Sequence, residues 1–479
     1  MTLQTIAARA CLIRFRAIFP LKTTLLLAMA WAFTPNAQAL TLLETWHAAE
    51  PHDSQLAAAR AAAGVAEPQR QQAQALWRPQ VALTASAGLA ASDTTMRGAQ
   101  FTAPGLGTSS GVDFATSVHG GAATRMALQA SQPLYNRERR VQQQQLNLQA
   151  DRAELALQAA RQDAMLRIAS HYLSLAMAQE KLRVLQGQIE SVQSAANEAQ
   201  DRFTLGAAPI TAVHEAHAEL AQIEAQIAAA QADIATRTQA LADATGLPAA
   251  HLAVQLPAAA ESEPRALTIW QELAQAASTA LREQKLQVNL ARAQLDQFAA
   301  GRGATVDLIA QAAHDRLSGH GDFGAARNTS VNAMVGVQLT IPLSTGGMRS
   351  GREQEAAARL AAAQAQEDAT REQLMRDVQA AWLAMHTGAA QTTALQAALA
   401  ASELRQDATH TGYQAGERTL LDVLRARNDT AATRLQLSQA RVSTLLARLR
   451  LAQLAGQLGE TALREASEPA RSASPDTKP

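Results

Sequence analysis

The chain has 479 residues, of which 47% are hydrophobic but only 3% aromatic, and alanine and leucine supply most of the hydrophobic share. Alanine-rich helices pack closely without building a thick core, which disfavours a set of ordinary globular domains. The 42 basic and 42 acidic residues cancel, which argues against nucleic acid or another polyanion as the main partner.

The first 39 residues have the pattern of a secretory signal peptide. Basic residues precede an apolar run over 25–33, and cleavage is expected after Ala37-Gln38-Ala39. The only cysteine, Cys11, leaves with this peptide, so the mature chain would have no disulfide, no cysteine metal site and no lipidated cysteine. No run of about 20 apolar residues follows Ala39 that would form a membrane-spanning helix.

The mature chain begins with a helical pattern and changes to a strand pattern. Residues 48–76 have a helical composition, which Trp77-Arg78-Pro79 interrupts. From Val81 to Leu89 apolar side chains recur at every second position, as in a half-buried strand. Residues 90–120 are rich in glycine, serine and threonine and are predicted to form a long loop.

A second alternating run over 125–131 ends at Pro133, and a long helix is predicted after it. Residues 137–202 contain no proline, and at about 1.5 Å per residue they predict a rod of about 100 Å. Gly206 then allows the left-handed conformation that ends a helix, and a further helix is predicted at 210–245. Two antiparallel helices joined by a tight turn are therefore expected.

The second half of the chain repeats the first. Residues 247–265 contain three prolines and are predicted to be a connector. They separate one structural repeat at 40–246 from another at 266–459, each with a helix, two strands, a long helix and a helix. Residues 460–479 are predicted to be a disordered tail. The elements of the second repeat are a helix at 266–299, a strand at 306–312, a loop at 313–331, a strand at 335–339 that ends at Pro342, a long helix at 347–412, a turn at Gly416 and a helix at 419–458.

The two long helices carry the same apolar seam. Apolar residues recur at spacings of three, four and three, which is typical of a coiled coil. The seam residues are Met165, Ile168, Tyr172 and Leu175 in the first copy, and Met375, Val378, Trp382 and Met385 in the second. Tyr172 and Trp382 are interpreted as core residues rather than substrate contacts.

The four predicted strands have one apolar face and one small or polar face, as in a strand between lipid and a polar lumen. Four strands cannot close around a lumen, and an open sheet edge in lipid leaves backbone groups without partners. Several chains are therefore expected to share one barrel, with the helical turns at Gly206 and Gly416 at its far end.

Two strand ends, Ser131-Gln132-Pro133-Leu134 and Thr340-Ile341-Pro342-Leu343, are each followed by a basic helix start. Together with the glycine turns they resemble the TolC family of outer-membrane channel-tunnels, over essentially the whole mature chain. The resemblance implies a mostly α protein with a small β part: a long antiparallel helical coiled-coil barrel plus four transmembrane β-strands per chain. It also implies a homotrimer that completes a 12-stranded barrel in Gram-negative outer-membrane lipid, with strand–helix junctions at Pro133 and Pro342.

The first turn, Arg202-Phe203-x-x-Gly206 with Ile210-Thr211, is similar to the type I secretion branch of that family, and the missing lipidated cysteine agrees with this. The branch implies export of a protein, with an RTX or cyclolysin-type toxin and a CyaE-like exporter as one candidate. Its partners would be a periplasmic adaptor and an inner-membrane ABC transporter. One alternative is the duct of a multidrug efflux pump with an RND transporter. Another is a periplasmic coiled-coil scaffold, which would account for the long helices but not for the four alternating strands.

The resemblance also implies a gate at the second turn. Asp422 would contribute to a ring of carboxylates that favours cations and binds a metal ion as a plug. Tyr413 and Arg418 would hold the inner coiled coil closed, with Thr211 nearby. A second interpretation makes Asp422 a helix N-terminal carboxylate, and both can hold together.

This sequence departs from the family pattern at two gate positions. Arg425 replaces an expected aspartate one turn after Asp422, and Ala212 replaces an aspartate that usually follows the threonine. A weaker cation preference and a looser gate are therefore expected. The tip turns at Gly206, Pro209, Gly416 and Leu420 are expected to dock the adaptor.

Other motifs are given structural interpretations. Gly319-x-Gly321-x-x-Gly324 resembles a dinucleotide fingerprint but lies between strands, so it is expected to be a flexible surface loop. His214 and His217 lack a third ligand and are expected on a solvated helix face. No nucleophile, base and orienting group occur together, so neither an enzyme nor a cofactor is predicted.

Residues near the predicted membrane boundary leave alternatives open. Arg137-Glu138-Arg139-Arg140 is interpreted as a solvated or lumen-facing helix start, against specific lipid contact. Trp77 and Phe298, just before the first strand of each repeat, are equally compatible with interfacial anchors and with ordinary packing.

Overall fold

A computed structural model of the chain describes residues 40–105, 107–257, 265–299, 303–322 and 324–467. These residues form a mostly helical protein with one small antiparallel sheet, as predicted. The predicted signal peptide and residues 468–479 of the predicted tail lie outside the described residues. None of the described helices combines the length and apolar character needed to cross a membrane.

Three short helices replace the single helix predicted at 48–76: α1 (Leu42–Ala49), α2 (Ser54–Ala63) and α3 (Ala66–Ala75). The first begins earlier than predicted because Thr41 and Glu44 form a capping box. The Asp53 side chain accepts a hydrogen bond from the Leu56 amide at 2.8 Å and starts α2. Local caps, which composition does not reveal, thus divide this segment.

The strands are much longer than predicted: β1 (Gln80–Ala103), β2 (Gly107–Asn136), β3 (Thr305–Gly321) and β4 (Gly324–Thr340). They form one antiparallel sheet in the order β1-β2-β3-β4. The loops predicted at 90–120 and 313–331 are therefore wrong, because these residues pair as β-hairpins. The many glycine, serine and threonine residues favoured a loop prediction. They can still form strands, because the hydrogen bonds of a ladder join backbone groups whatever the side-chain polarity.

The pairing of the strands shows where β2 and β4 end relative to Pro133 and Pro342. Pro133 does not end β2: the strand continues to Asn136 after a register shift between Pro133 and Tyr135, and proline is tolerated at such an irregularity. Pro342 lies two residues after the last residue of β4, Thr340, so it follows that strand as predicted.

The register confirms the predicted alternation of faces. One row across the sheet joins Leu83, Leu128, Ala312 and Ala333. A polar row on the opposite face joins Ser86, Arg125, Asp315 and Ser330, and an ion pair of 3.7 Å links Arg125 to Asp315. The apolar face is open in the single chain, with Leu83 71% and Val335 77% exposed.

The glycine motif belongs to the ordered hairpin between β3 and β4, so the flexible loop expected there is wrong. Gly319 and Gly321 lie in β3, and Gly324, at φ 111°, begins β4. A Cβ atom at Gly319 would lie 2.6 Å from the Gly121 Cα atom of β2. Gly319 and Gly321 therefore permit a close approach of the β3 backbone to that of β2.

The two long helices are confirmed as α4 (Arg137–Thr204) and α8 (Met348–Gln414). The first packs against α2, α3 and α5 (Ile210–Thr245). The second packs against α9 (Leu420–Leu454) and two shorter helices, α6 (Leu267–Ala277) and α7 (Thr279–Ala299). The helix predicted at 266–299 is thus interrupted, because Ser278 has a non-helical ψ of 127°.

The end of the described chain is not disordered, contrary to the prediction for 460–479. Residues Glu460–Ser467 form α10, which packs against α1 and α9. Leu463 and Ala466 are each 1% exposed. Burial of this apolar face orders a segment that looks polar in sequence.

One buried cluster, called here the central core, joins the short helices to the first rod. The seam residues Met165, Ile168, Tyr172 and Leu175 all belong to it. Other members of the central core include Leu42, Trp46, Leu56, Leu173, Leu241, Leu449 and Leu463. In the second rod Val378 is fully buried, whereas Trp382 is half-buried and donates its indole N–H to the Arg265 carbonyl at 3.0 Å.

Tyr172 ties the seam to the connector. Its hydroxyl is 2.8 Å from the Leu40 carbonyl oxygen and 3.0 Å from that of Gln255, and both carbonyls can accept its proton. The neighbouring Leu40 also pairs with Val254 in an isolated bridge. The ring is 3% exposed, so these polar contacts are made away from water.

Replacing Tyr172 with phenylalanine should lower the free energy of unfolding by about 1–3 kcal/mol, because the Leu40 and Gln255 carbonyls lose the buried hydroxyl that they share as a donor. The effect is measured as a shift in the urea midpoint, followed by helical circular dichroism. Tyr135→Phe is the matched control, since Tyr135 is 47% exposed and should shift the midpoint little. Equal midpoints for both variants would contradict the role assigned to the hydroxyl.

Candidate functional site at the helical turns

The two turns that join the long helices to α5 and α9 have the same hydrogen-bond pattern. In the first, the Gly206 amide donates to the Phe203 carbonyl at 2.9 Å and the Ala207 amide to that of Arg202 at 2.7 Å. In the second, the Gly416 amide donates to Tyr413 at 3.0 Å and the Glu417 amide to Gly412 at 2.9 Å. Gly206 and Gly416 have φ angles of 70° and 80°, which side chains with a Cβ atom disfavour.

Asp422 and Thr419 form a capping box at the start of α9. The Thr419 hydroxyl accepts from the Asp422 amide at 3.2 Å, while one Asp422 carboxylate oxygen accepts from the Thr419 amide at 3.0 Å. The same oxygen accepts from the Thr419 hydroxyl at 2.8 Å. The interpretation of Asp422 as a helix cap thus describes its geometry in one chain.

The surroundings of Asp422 keep its carboxylate charged. Hydrogen bonds from the Thr419 amide and hydroxyl lower the pKa of Asp422 below its ordinary value of 3.8, and the charges of Arg418 and Arg425 add to this effect. The two arginines also place positive charge beside the carboxylate. This carboxylate therefore attracts cations less than a carboxylate without arginine neighbours.

A buried cluster, called here the tip cluster, joins the ends of both helical hairpins. It contains residues of α4, α5, α8 and α9, and Tyr413 is its aromatic member, at 8% exposed. The buried members are Val192, Ala195, Ala196, Ala199, Val213, Ala216, Ile223, Tyr413, Leu420, Val423 and Leu424. Burial of this apolar surface holds the two turns together within one chain.

Charged residues of α4 surround the ring of Tyr413. The Arg202 guanidinium carbon lies 4.7 Å from the ring centroid, and Arg202 pairs with Glu198 at 2.7 Å. Burial, together with the nearby Glu198 carboxylate, raises the pKa of Tyr413. Glu198 and Arg202 therefore contact the predicted gate tyrosine. Glu198 belongs to no motif that would identify it from the sequence.

A polar network crosses between the hairpins next to the tip cluster. Asn428 donates to Glu219 at 2.6 Å and accepts from Gln188 at 3.1 Å, which links α9 to α5 and α4. Arg427 also donates to the Ser191 carbonyl at 2.9 Å. Separation of the two hairpins would have to break these bonds as well as expose the tip cluster.

The other predicted gate residues lie at the same turns. Thr211 is exposed on the first turn of α5, and within the described ranges its hydroxyl makes no hydrogen bond. Ala212 packs against the tip cluster, so an apolar methyl group occupies the position where the family pattern has a carboxylate. The Arg418 amide donates to the Gly412 carbonyl at 3.2 Å.

The residues predicted for adaptor docking differ in accessibility. Gly206, Pro209 and Gly416 are exposed at the turns. Leu420, at 5% exposed, belongs to the tip cluster instead. Leu205, the C-cap residue of α4, is 82% exposed, and Phe203 and Ile210 on either side of the turn are 38% and 43% exposed. Several exposed apolar side chains in one turn are typical of a surface that contacts another protein.

The predicted pair of histidines, His214 and His217, lies on an exposed face of α5 near the first turn. Across the residues that the structure describes, no group of three or more histidine, cysteine, aspartate or glutamate side chains is arranged to hold a metal ion.

Comparison with known proteins places this arrangement among outer membrane channels. The sequence pattern of the family described as outer membrane efflux protein matches residues 46–247 and 270–457. The chain is 26% identical over 427 residues to the outer membrane protein TolC of Vibrio cholerae, covering 88% of this chain and 91% of that protein. It is 29% identical over 307 residues to the proteases secretion protein PrtF of Dickeya chrysanthemi, covering 62% and 65%.

The fold is also similar to that of a solved structure. The solved structure of the outer membrane protein VceC from Vibrio cholerae superposes with a TM-score of 0.68 at 20% sequence identity, covering 87% of this chain and 96% of that one. The long paired helices and the four-stranded sheet are therefore similar to those of a solved outer membrane protein.

Proposed function

The chain belongs to the outer membrane efflux protein family, and from this premise we propose that it is the outer-membrane duct of a type I secretion system. It is an outer membrane efflux channel by its family and by its similarity to TolC. The observation that carries the finer proposal is the similarity to PrtF, a protein named for the secretion of proteases. A protein cargo follows from that comparison, with an RTX or cyclolysin-type toxin as one candidate.

The sheet supports a shared barrel. β1 and β4 are the edge strands of the four-stranded sheet, and their apolar side chains face outward. In lipid an unpaired edge would leave backbone donors and acceptors unsatisfied. Pairing of β4 of one chain with β1 of the next removes both edges, and three chains would give a homotrimer with a 12-stranded barrel.

The helical turns support docking at the opposite end. Leu205, Pro209 and Gly416 are exposed there, and the proposed partners are a periplasmic adaptor and an inner-membrane ABC transporter. The second candidate function is the outer-membrane duct of a drug efflux pump, with an RND transporter as partner. It is favoured by the family description, which names efflux rather than secretion.

Deletion of the gene tests the two functions against each other. For a secretion duct we expect one large protein to be lost from the medium and retained in the cell, while sensitivity to dyes and drugs stays unchanged. Restoring the full-length chain should restore secretion. Unchanged secretion together with increased dye and drug sensitivity would reject secretion and support efflux.

Tyr413, Arg418, Thr211 and Asp422 form the gate in this proposal. The tip cluster holds the two hairpins of one chain together, and Arg418 is close enough to Asp422 to lower its pKa. In a trimer Arg418 and Asp422 would face a common axis, while Tyr413 would hold its hairpin in place from inside the tip cluster. The carboxylate of Asp422 would then line the narrowest part of the pore.

Replacing Arg418 with serine should raise single-channel conductance severalfold in planar bilayers, because the variant loses the long cationic side chain that narrows and holds the pore. Arg376→Ser is the control, since Arg376 lies on α8 away from the turn and pairs with Glu372 at 3.6 Å. Identical currents for wild type and Arg418→Ser would reject this role for Arg418.

A further inference from the structure

A cavity of about 200 Å³ lies where the sheet meets the long helices. The start of α4, the end of α7, the start of β3 and the start of α8 surround it. Three arginines line it, Arg137, Arg349 and Arg352, together with the polar side chains of Thr305 and Thr345. Neither the predicted gate nor the proposed docking surface uses this cavity.

The cavity lies at the boundary between the apolar belt and the helices. Thr305 pairs with Thr340 at the end of the ladder, and the next pair, Val306 with Leu339, belongs to the apolar face. Exposed apolar side chains continue to this level, with Leu339 61%, Leu343 86% and Met348 63% exposed. Since the apolar belt of a membrane strand ends at the lipid headgroups, the cavity lies at headgroup depth on the helical side.

The charge balance of the cavity is strongly positive. Arg349 is held in place by a hydrogen bond of 3.0 Å from its Nε to the Phe298 carbonyl. The one lining carboxylate, Glu138, accepts from the Gln297 amide at 3.0 Å. Arg137 and Arg352 are both exposed, and neither takes part in an ion pair among the described residues. Two guanidinium groups are therefore available to an anion.

The geometry points to the phosphate of an anionic phospholipid headgroup, and we propose that this cavity binds one such headgroup from the periplasmic leaflet. Planar guanidinium groups bind phosphate oxygens through paired charge-assisted hydrogen bonds. Basic pockets beside membrane-spanning segments select anionic headgroups in this way. The adjacent exposed Leu343 and Met348 would contact the glycerol and upper acyl chains, which free phosphate lacks.

Native mass spectrometry of the full-length protein in detergent tests the proposal, with phosphatidylglycerol and phosphatidylcholine added as probes. Wild type should retain phosphatidylglycerol in preference to phosphatidylcholine. R137Q/R352Q should bind phosphatidylglycerol at least about tenfold more weakly, because two charge-assisted hydrogen bonds are lost. R97Q/R376Q is the control, since it removes the same charge from exposed positions on β1 and α8 and should retain the lipid.

Two further measurements distinguish a lipid phosphate from free phosphate, and a lipid site from a cluster of arginines that faces the lumen. Retained phosphatidylglycerol that excess inorganic phosphate does not displace supports a lipid site, whereas complete displacement overturns it in favour of free phosphate. If R137Q/R352Q binds lipid as wild type does but changes the ion selectivity of the channel, the arginines face the lumen and the proposal is wrong. Secretion need not change in any variant, so this test stands apart from the proposed function.

Discussion

Replacing Trp46 with alanine should lower the free energy of unfolding by about 3–5 kcal/mol, the loss typical of a large aromatic removed from a packed core. Trp46 is 1% exposed and lies in the central core, to which α1, α4, α5, α9 and α10 all contribute. Within the described residues its indole N–H has no hydrogen-bond partner. The loss would therefore come from packing and from the cavity left behind.

Two comparisons isolate the packing effect of Trp46. Trp46→Phe keeps an aromatic ring and removes an unpaired N–H, so its urea midpoint should fall much less than that of Trp46→Ala. Leu205→Ala removes an apolar side chain that is 82% exposed and should leave the midpoint nearly unchanged. If Trp46→Ala and Leu205→Ala had the same midpoint, the central core would not stabilise the helical part of the protein.

Replacing Asp422 with asparagine should lower the cation-to-anion permeability ratio of the channel severalfold, because three copies would lose a full negative charge at one narrow ring. Thr419→Ala serves as the matched variant, since it removes the hydroxyl of the capping box and keeps the carboxylate. A ring of carboxylates predicts that only Asp422→Asn changes the ratio. If neither variant changes the ratio, Asp422 is a helix cap alone.

The pH dependence of the cation-to-anion permeability ratio follows from the lowered pKa of Asp422. Thr419 and the neighbouring arginines favour the charged carboxylate, so the stability that the cap contributes is fully present above the unfolded-state pKa and is lost as the pH falls through the folded-state pKa. The cation preference depends on the carboxylate of the folded channel, so it is lost only as the pH falls through that lowered pKa, below the ordinary value of 3.8. Reversal potentials of wild type should therefore change only in strong acid, and those of Asp422→Asn should not change there.

Replacing Arg425 should change the permeability ratio in the opposite direction from replacing Asp422. Arg425 lies near Asp422, where the family pattern has a second carboxylate, and its charge helps to lower the pKa of Asp422. Arg425→Gln should raise the cation-to-anion permeability ratio above that of wild type, because a positive charge leaves the ring. An unchanged ratio in planar bilayers would show that Arg425 points away from the pore.

The candidate site was predictable where it depends on a local motif. Gly206 and Gly416 marked both turns because glycine favours the positive φ angle that ends a helix. Thr419 and Asp422 have the spacing of a capping box, which suffices to predict the bond between them. Glu198 and Arg202 were not identified as gate residues, because their contact with Tyr413 joins positions about 210 residues apart and has no motif in the chain.

Helical and strand periodicities are local properties, so they suffice to predict the doubled unit, the bounds of the long helices to within a few residues, and the two faces of each strand. Contacts between distant segments were needed to show that residues 90–120 continue a β-hairpin, that 460–467 pack as α10, and that arginines of α4 and α8 share one cavity. Each of these depends on which distant backbone or side chain lies opposite. Pairing and burial between separate segments, rather than local propensity, supply the free energy that fixes them.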